Sequence, residues 1–175
     1  MTLQARYWRA ALSIAALLPI ACVKTPESYP IPDQHQPFRA SSADPEYVVA
    51  GSKDASRYFV RDIRIDAGLW RWTGAQPELE FTLTSTHNRT LVYEFVINEE
   101  TFKHTGPVHI SFLVNGKLIA REIYDTPGDK KLEKLISEEL LQATKKTRVT
   151  AHVENTWQSP DGVIFGILLK RAGFI

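Results

Sequence analysis

Among the side chains of this 175-residue chain, one thiol and four indoles have the most distinctive chemistry. Cys22 is the only cysteine, so it has no partner for an internal disulfide and is left as a nucleophile or a point of covalent modification. Its setting favours modification. Met1 to Arg9 carries Arg6 and Arg9 and no acid, Ala10 to Ile20 is almost wholly apolar, and Ala21 stands directly before the thiol. A basic start, a short apolar run and a small residue before the cut are the anatomy of a secretory signal. The run is too short to cross a bilayer as a helix.

Leu18-Pro19-Ile20-Ala21-Cys22 resembles the lipobox of bacterial lipoproteins, in which the cysteine is acylated and becomes the mature N-terminus. Members of that family usually carry leucine three residues before the cysteine. Here Pro19 stands there, with Leu18 one step back. The resemblance implies a signal peptide over residues 1–21 and lipidation at Cys22. An ordinary cleaved signal is the alternative, although no Ala-x-Ala stands at the junction, and an uncleaved anchor would need a longer apolar run. Val23, in place of an aspartate, looks like the residue that in enterobacterial lipoproteins permits transfer to the outer membrane. The implied location is exported and membrane-anchored, at the outer membrane and facing the periplasm or the surface if the source is Gram-negative. One acyl chain holds a protein marginally and two or more hold it stably, so the lipid would suffice as anchor.

The indoles pose a different question. Trp70 and Trp72 are two residues apart and would share a face of an extended strand, and Trp157 lies near another strand end. Flat apolar rings flanked by polar groups can stack on the apolar faces of sugar rings, which makes Trp70, Trp72 and Trp157 candidate ligand-binding residues. Large aromatics also fill β cores, and both readings stay open. The five histidines, at 35, 87, 104, 109 and 152, show no spacing that places two metal ligands on one face. No nucleophile elbow or phosphate-cradling glycine loop occurs. The expectation is therefore a protein with no catalytic residues, no metal and no cofactor.

These candidates must be positioned by strands. Glu78 to Thr84 alternates with Leu79, Phe81 and Leu83 on one face, and Leu91, Tyr93, Phe95 and Ile97 form a second such face. Val108, Ile110, Phe112 and Val114 form a third, followed by the hairpin turn Asn115-Gly116 and a strand from Lys117 to Tyr124. Thr147 to Trp157 alternates again, Ser159-Pro160-Asp161-Gly162 supplies a turn, and Val163 to Lys170 reads as the last strand. Tyr58 to Ile65 reads as the first. About seven short strands with regular turn chemistry predict an all-β, two-sheet antiparallel β-sandwich over residues 54–175. Lys130 to Lys146, with leucines near helical spacing and Ser137-Glu138-Glu139 as a start signal, predicts the one short helix.

Residues 22–53 differ in character. Pro26, Pro30, Pro32, Pro37 and Pro45, set among polar residues, predict a disordered, semi-extended tether, with Tyr47-Val48-Val49 apolar enough to pair as an edge. Removing residues 1–21 takes away Arg6 and Arg9 and no acid, so 21 basic against 20 acidic residues become 19 against 20. Such a near-neutral chain offers no electrostatic footprint for nucleic acid.

The runs Leu69-Trp70-Arg71-Trp72-Thr73, Pro77-Glu78-Leu79, Thr105-Gly106-Pro107-Val108, Val114-Asn115-Gly116, Pro127-Gly128 and Gly173-Phe174-Ile175 look like a bacterial β-sandwich domain. Similar domains occur in exported lipoproteins and beside glycosyltransferases of surface polysaccharide synthesis. The resemblance spans about Tyr58 to Ile175, implies an envelope or glycan context and carries over no catalytic residue. The expected function is a membrane-tethered envelope lipoprotein whose non-enzymatic sandwich is a binding or structural module. The alternatives are a carbohydrate-binding module and a subunit of an envelope protein assembly.

Overall fold

A computed structural model describes residues 46–65 and 68–175; the signal over 1–21, Cys22 and the expected tether up to residue 45 lie outside the described residues. In chain order the strands are β1 (Tyr47–Val49), β2 (Phe59–Ile63), β3 (Arg71–Thr82) and β4 (Thr90–Ile97). Helix α1 (Glu99–Thr105) precedes β5 (Val108–Val114), β6 (Lys117–Tyr124), β7 (Gly128–Leu135) and β8 (Lys146–Val153). A short hairpin of β9 (Trp157–Gln158) and β10 (Ile164–Phe165) leads into β11 (Leu168–Phe174).

Nine of these strands join in one antiparallel network ordered β6-β5-β8-β3-β11-β4-β7, with β1 added on β11 and β2 on β3. The network is folded over on itself. In strand order β8, β3 and β11 separate β5 from β4, yet the Phe112 ring of β5 lies 5.5 Å from Tyr93 and 6.3 Å from Phe95 of β4. Strand β3 carries the fold-over. Its first residues, Arg71 and Trp72, pair with Leu169 and Leu168 of β11, and Glu78 to Thr82 pair with Thr150 to Lys146 of β8.

The enclosed faces are those the period-two pattern selects. Leu79, Phe81, Leu91, Tyr93, Phe95, Ile97, Ile110, Phe112, Val114 and Val149 are all essentially inaccessible. Each such large side chain contributes about 1.5–3 kcal/mol by leaving water. The Asn115-Gly116 turn takes the two positive φ angles a tight hairpin needs, 49° and 79°. Tyr47–Val49, possible from sequence as an edge, does pair, on β11 with Val48 buried.

The helix expected over Lys130 to Lys146 is corrected. Gly128 to Leu135 is strand β7, paired with β4 at all eight positions, and only Glu138–Leu140 makes a 3-10 turn after Ser137. Strand pairing along β4 wins over the helix propensity of Lys, Glu and Leu. Leu132 points into the core while Lys131 and Glu133 face out, and charges on an outer strand discourage further pairing. The helix is instead α1. Asn98 caps it, its Oδ1 accepting from the amides of Glu100 (2.9 Å) and Thr101 (3.4 Å), and Gly106 ends it at φ 66°.

Candidate functional site

Along β3 Arg71, Thr73, Pro77, Leu79 and Phe81 are buried, whereas Trp72, Gly74, Ala75, Gln76, Glu78 and Glu80 are only half-buried and form the more open side. This face carries two neighbouring features, an aromatic stack at its start and a polar groove along its second half.

The stack gathers rings from four elements. His104 of α1 lies parallel to Trp157 of β9 (4.8 Å, 6°), Trp157 stacks on Phe165 of β10 (5.5 Å, 25°), and Trp72 meets Phe165 edge-on (4.9 Å, 78°). The Arg64 guanidinium lies 5.7 Å from the Phe165 ring centre. A glycine makes this assembly possible. The Gly166 amide donates to the Thr73 carbonyl at 2.8 Å, and a Cβ on Gly166 would sit 2.3 Å from the Gly74 carbonyl oxygen. Only a residue without a side chain lets the β9–β10 hairpin pass that close to β3. The hairpin closes through the Ser159 amide donating to the Val163 carbonyl and the Gly162 amide donating to the Ser159 carbonyl, both at 2.9 Å. The Ser159 hydroxyl, together with backbone amides, holds the Asp161 carboxyl below its ordinary pKa.

The structure thus places Trp72 and Trp157 on one ring, Phe165, and leaves Trp70 outside the stack, with the Lys170 Nζ 5.6 Å from the Trp70 ring centre. None of the three belongs to the buried core; Trp72 and Trp157 are half-buried and Trp70 is 43% exposed. Trp157 is stacked on both sides, by His104 and Phe165, and Trp72 meets Phe165 edge-on.

The groove is a cavity of about 600 Å³ on the outer face of β2, β3, β8 and β5. Gln76 and Glu78 of β3, Lys146, Arg148, Thr150 and His152 of β8, Arg61 of β2, Leu113 of β5 and the Asn115-Gly116 turn line it. Register builds it, since Glu78 lies opposite Thr150 and Arg61, and Glu80 opposite Arg148. One carboxylate, Glu78, and three cations line it, and Glu80 stands just outside the lining, paired with two of those cations. Arg61 Nη2 contacts Glu78 at 3.2 Å, Arg148 reaches Glu78 at 3.3 Å and Glu80 at 3.5 Å, and Lys146 contacts Glu80.

Asn115 is fixed in the lining by three hydrogen bonds. Its Oδ1 accepts from the Arg148 amide at 2.9 Å, its own amide donates to the Arg148 carbonyl at 2.8 Å, and its Nδ2 donates to the Leu140 carbonyl at 2.8 Å. Beside Gln76, Asp62 Oδ2 accepts from the Gln76 amide at 2.9 Å. The groove is therefore polar side chains held on paired strands, a rigid setting for reading a polar ligand.

No family model matches the chain, and no curated protein matches it. Among solved structures it is similar to an acetyl xylan esterase from the rumen bacterium Butyrivibrio proteoclasticus, at 18% identity and TM-score 0.43 over 74% of this chain and 33% of that one. A family GH115 4-O-methyl-alpha-glucuronidase matches at 9% identity and TM-score 0.48, over 74% of this chain and 17% of that one. An exo-beta-1,3-galactanase from Phanerochaete chrysosporium matches at 6% identity and TM-score 0.39, over 74% and 29%. The chain spans a third or less of the length of each of these proteins, and likenesses this distant assign it no ligand.

Proposed function

We propose that the folded-over sheet is a two-layer β-sandwich acting as a non-enzymatic glycan-binding module at the cell envelope, tethered through an acylated Cys22. The observation that carries this reading is the groove on the outer face. Guanidinium, ammonium, amide, hydroxyl and imidazole groups line it in rows along paired strands, the chemistry that hydrogen-bonds a hydroxyl-rich chain. Removing one charged hydrogen-bonding partner from such a site costs about 1.5–3 kcal/mol, which is roughly tenfold or more in affinity.

Affinity electrophoresis of the full chain through gels containing soluble polysaccharides tests the binding reading. At least one polysaccharide should retard the wild type, Arg148→Ala should weaken that retardation about tenfold, and Trp70→Ala should leave it unchanged. No reducing sugar should be released on incubation. Release of product, or binding abolished by Trp70→Ala and untouched by Arg148→Ala, would move the function away from the groove.

The anchor has its own test. Cys22 is the only thiol, so Cys22→Ala should shift the protein from the membrane pellet to the soluble fraction while its thermal unfolding stays the same. Recovery of both forms in the pellet would refute the acyl anchor.

A further inference from the structure

Resting on the reading of the groove as a glycan site, we infer that its ligand is an anionic polysaccharide, whose acid groups seat on Arg61, Lys146 and Arg148. Charge and depth carry the inference. The cavity is lined by these three cations and by one carboxylate, Glu78. The side chains of Arg61, Arg148 and Lys146 are 51%, 57% and 71% exposed, whereas those of Glu78 and Glu80 are 12% and 15% exposed and lie beneath them.

A ligand entering the groove therefore meets donors first, because the carboxylate oxygens are already engaged from above. Arg148 Nη1 lies 3.3 Å from Glu78 and its Nε 3.5 Å from Glu80, and its Nη2 carries two further N–H donors. Arg61 spends Nη2 and carries donors on Nε and Nη1. Two planar guanidiniums, braced from below by Glu78, present forks suited to carboxylate, sulfate or phosphate oxygens. A neutral sugar can hydrogen-bond to the amide, hydroxyl and imidazole groups of the lining but gains no charge pairing from the three cations, whereas an acid group gains both.

The test titrates the full chain with polygalacturonate, its fully methyl-esterified form, dextran sulfate, a phosphodiester-linked glycan polymer and neutral dextran, at fixed moderate ionic strength because exposed charge pairs are screened by salt. At least one of the three anionic polymers should bind, and which one identifies the acid group. If it is polygalacturonate, methyl esterification should weaken binding tenfold or more. Arg148→Gln and Arg61→Gln should each weaken anionic binding about tenfold with the thermal unfolding midpoint as a folding check, and Arg148→Lys should restore part of it. Lys134→Gln on β7, outside the groove, should change it less than twofold.

Equal binding of neutral dextran and the anionic polymers, weakened by Arg148→Gln, would overturn the anionic inference and leave the groove standing. Failure of every polymer to bind would overturn the groove reading itself. Equal losses in Lys134→Gln and Arg148→Gln would show diffuse charge attraction and overturn the inference too.

Discussion

Phe112→Ala is expected to destabilise the protein by about 3–5 kcal/mol, the range for removing a fully buried phenylalanine. Phe112 is inaccessible to solvent and links elements far apart in the sheet. Its ring lies 5.5 Å from Tyr93 and 6.3 Å from Phe95, and Phe95 in turn meets Tyr124 edge-on at 5.2 Å. The backbones on either side are held by ladders, β5 between β6 and β8 and β4 between β7 and β11, so the walls cannot close on the space left behind. Incomplete collapse puts the cost near the upper part of the range. Against a typical stability of about 5–15 kcal/mol, that is about a quarter or more of the total. Urea unfolding should show a lower midpoint with an unchanged slope, and Phe112→Leu should cost less than half as much. A loss under about 1 kcal/mol in Phe112→Ala would mean that β5 and β4 do not pack against each other as described.

The strands that enclose this core were readable because each declares its inner face within its own few residues. Val108, Ile110, Phe112 and Val114 need no knowledge of their partners to read as one buried face, and Asn115-Gly116 needs none to read as a hairpin turn. The misread segment follows from the same logic. Leu132, Leu135, Ile136, Leu140 and Leu141 mimic helical spacing because a strand and a 3-10 turn follow each other closely, and pairing along β4 decided the matter. Helix α1 was missed because seven residues are too few to display a periodic stripe, although Asn98 before Glu99 and Glu100 is a start signal.

The groove was illegible for a different reason. Glu78 and Glu80 lie some seventy residues from Arg148 and Lys146, and only strand register makes them neighbours. The trace they leave in the sequence is opposite charges alternating with apolar residues on two separate strands, a pattern suited to cross-strand pairs. The tryptophans show the limit of spacing arguments. Trp70 and Trp72 are two apart, but β3 begins at Arg71, so Trp72 alone enters the ladder and reaches Trp157 through Phe165.

The buried ion pair of Glu46 and Arg89 should make stability depend on acid. Their side chains are 11% and 16% exposed and lie 2.8 Å apart. Glu46 Oε1 also accepts from the Thr84 amide at 2.5 Å and the Thr84 hydroxyl at 2.6 Å. Burial by itself would raise the carboxyl's pKa; the Thr84 hydroxyl, the Thr84 amide and Arg89 together outweigh it and hold the pKa below the ordinary value. A carboxyl depressed on folding stabilises the protein above its unfolded pKa of about 4.3 and loses that contribution as the pH falls through the folded value. Glu94, depressed chiefly by its hydrogen bond from Arg171, adds in the same acidic window. Glu46→Ala leaves the Arg89 guanidinium and the Thr84 amide without this acceptor and should cost about 3 kcal/mol at pH 7. Because Glu46 also joins the start of β1 to β11, its carbonyl accepting from the Phe174 amide at 2.7 Å, the loss should first be seen as fraying of that edge in hydrogen exchange. Urea unfolding of wild type and Glu46→Ala at pH 7 and pH 3 should give a gap that narrows in acid, because below the unfolded pKa the unfolded chain takes up a proton that the depressed folded carboxyl resists. A gap of equal size at the two pH values would show that the charge on Glu46 contributes nothing to the fold.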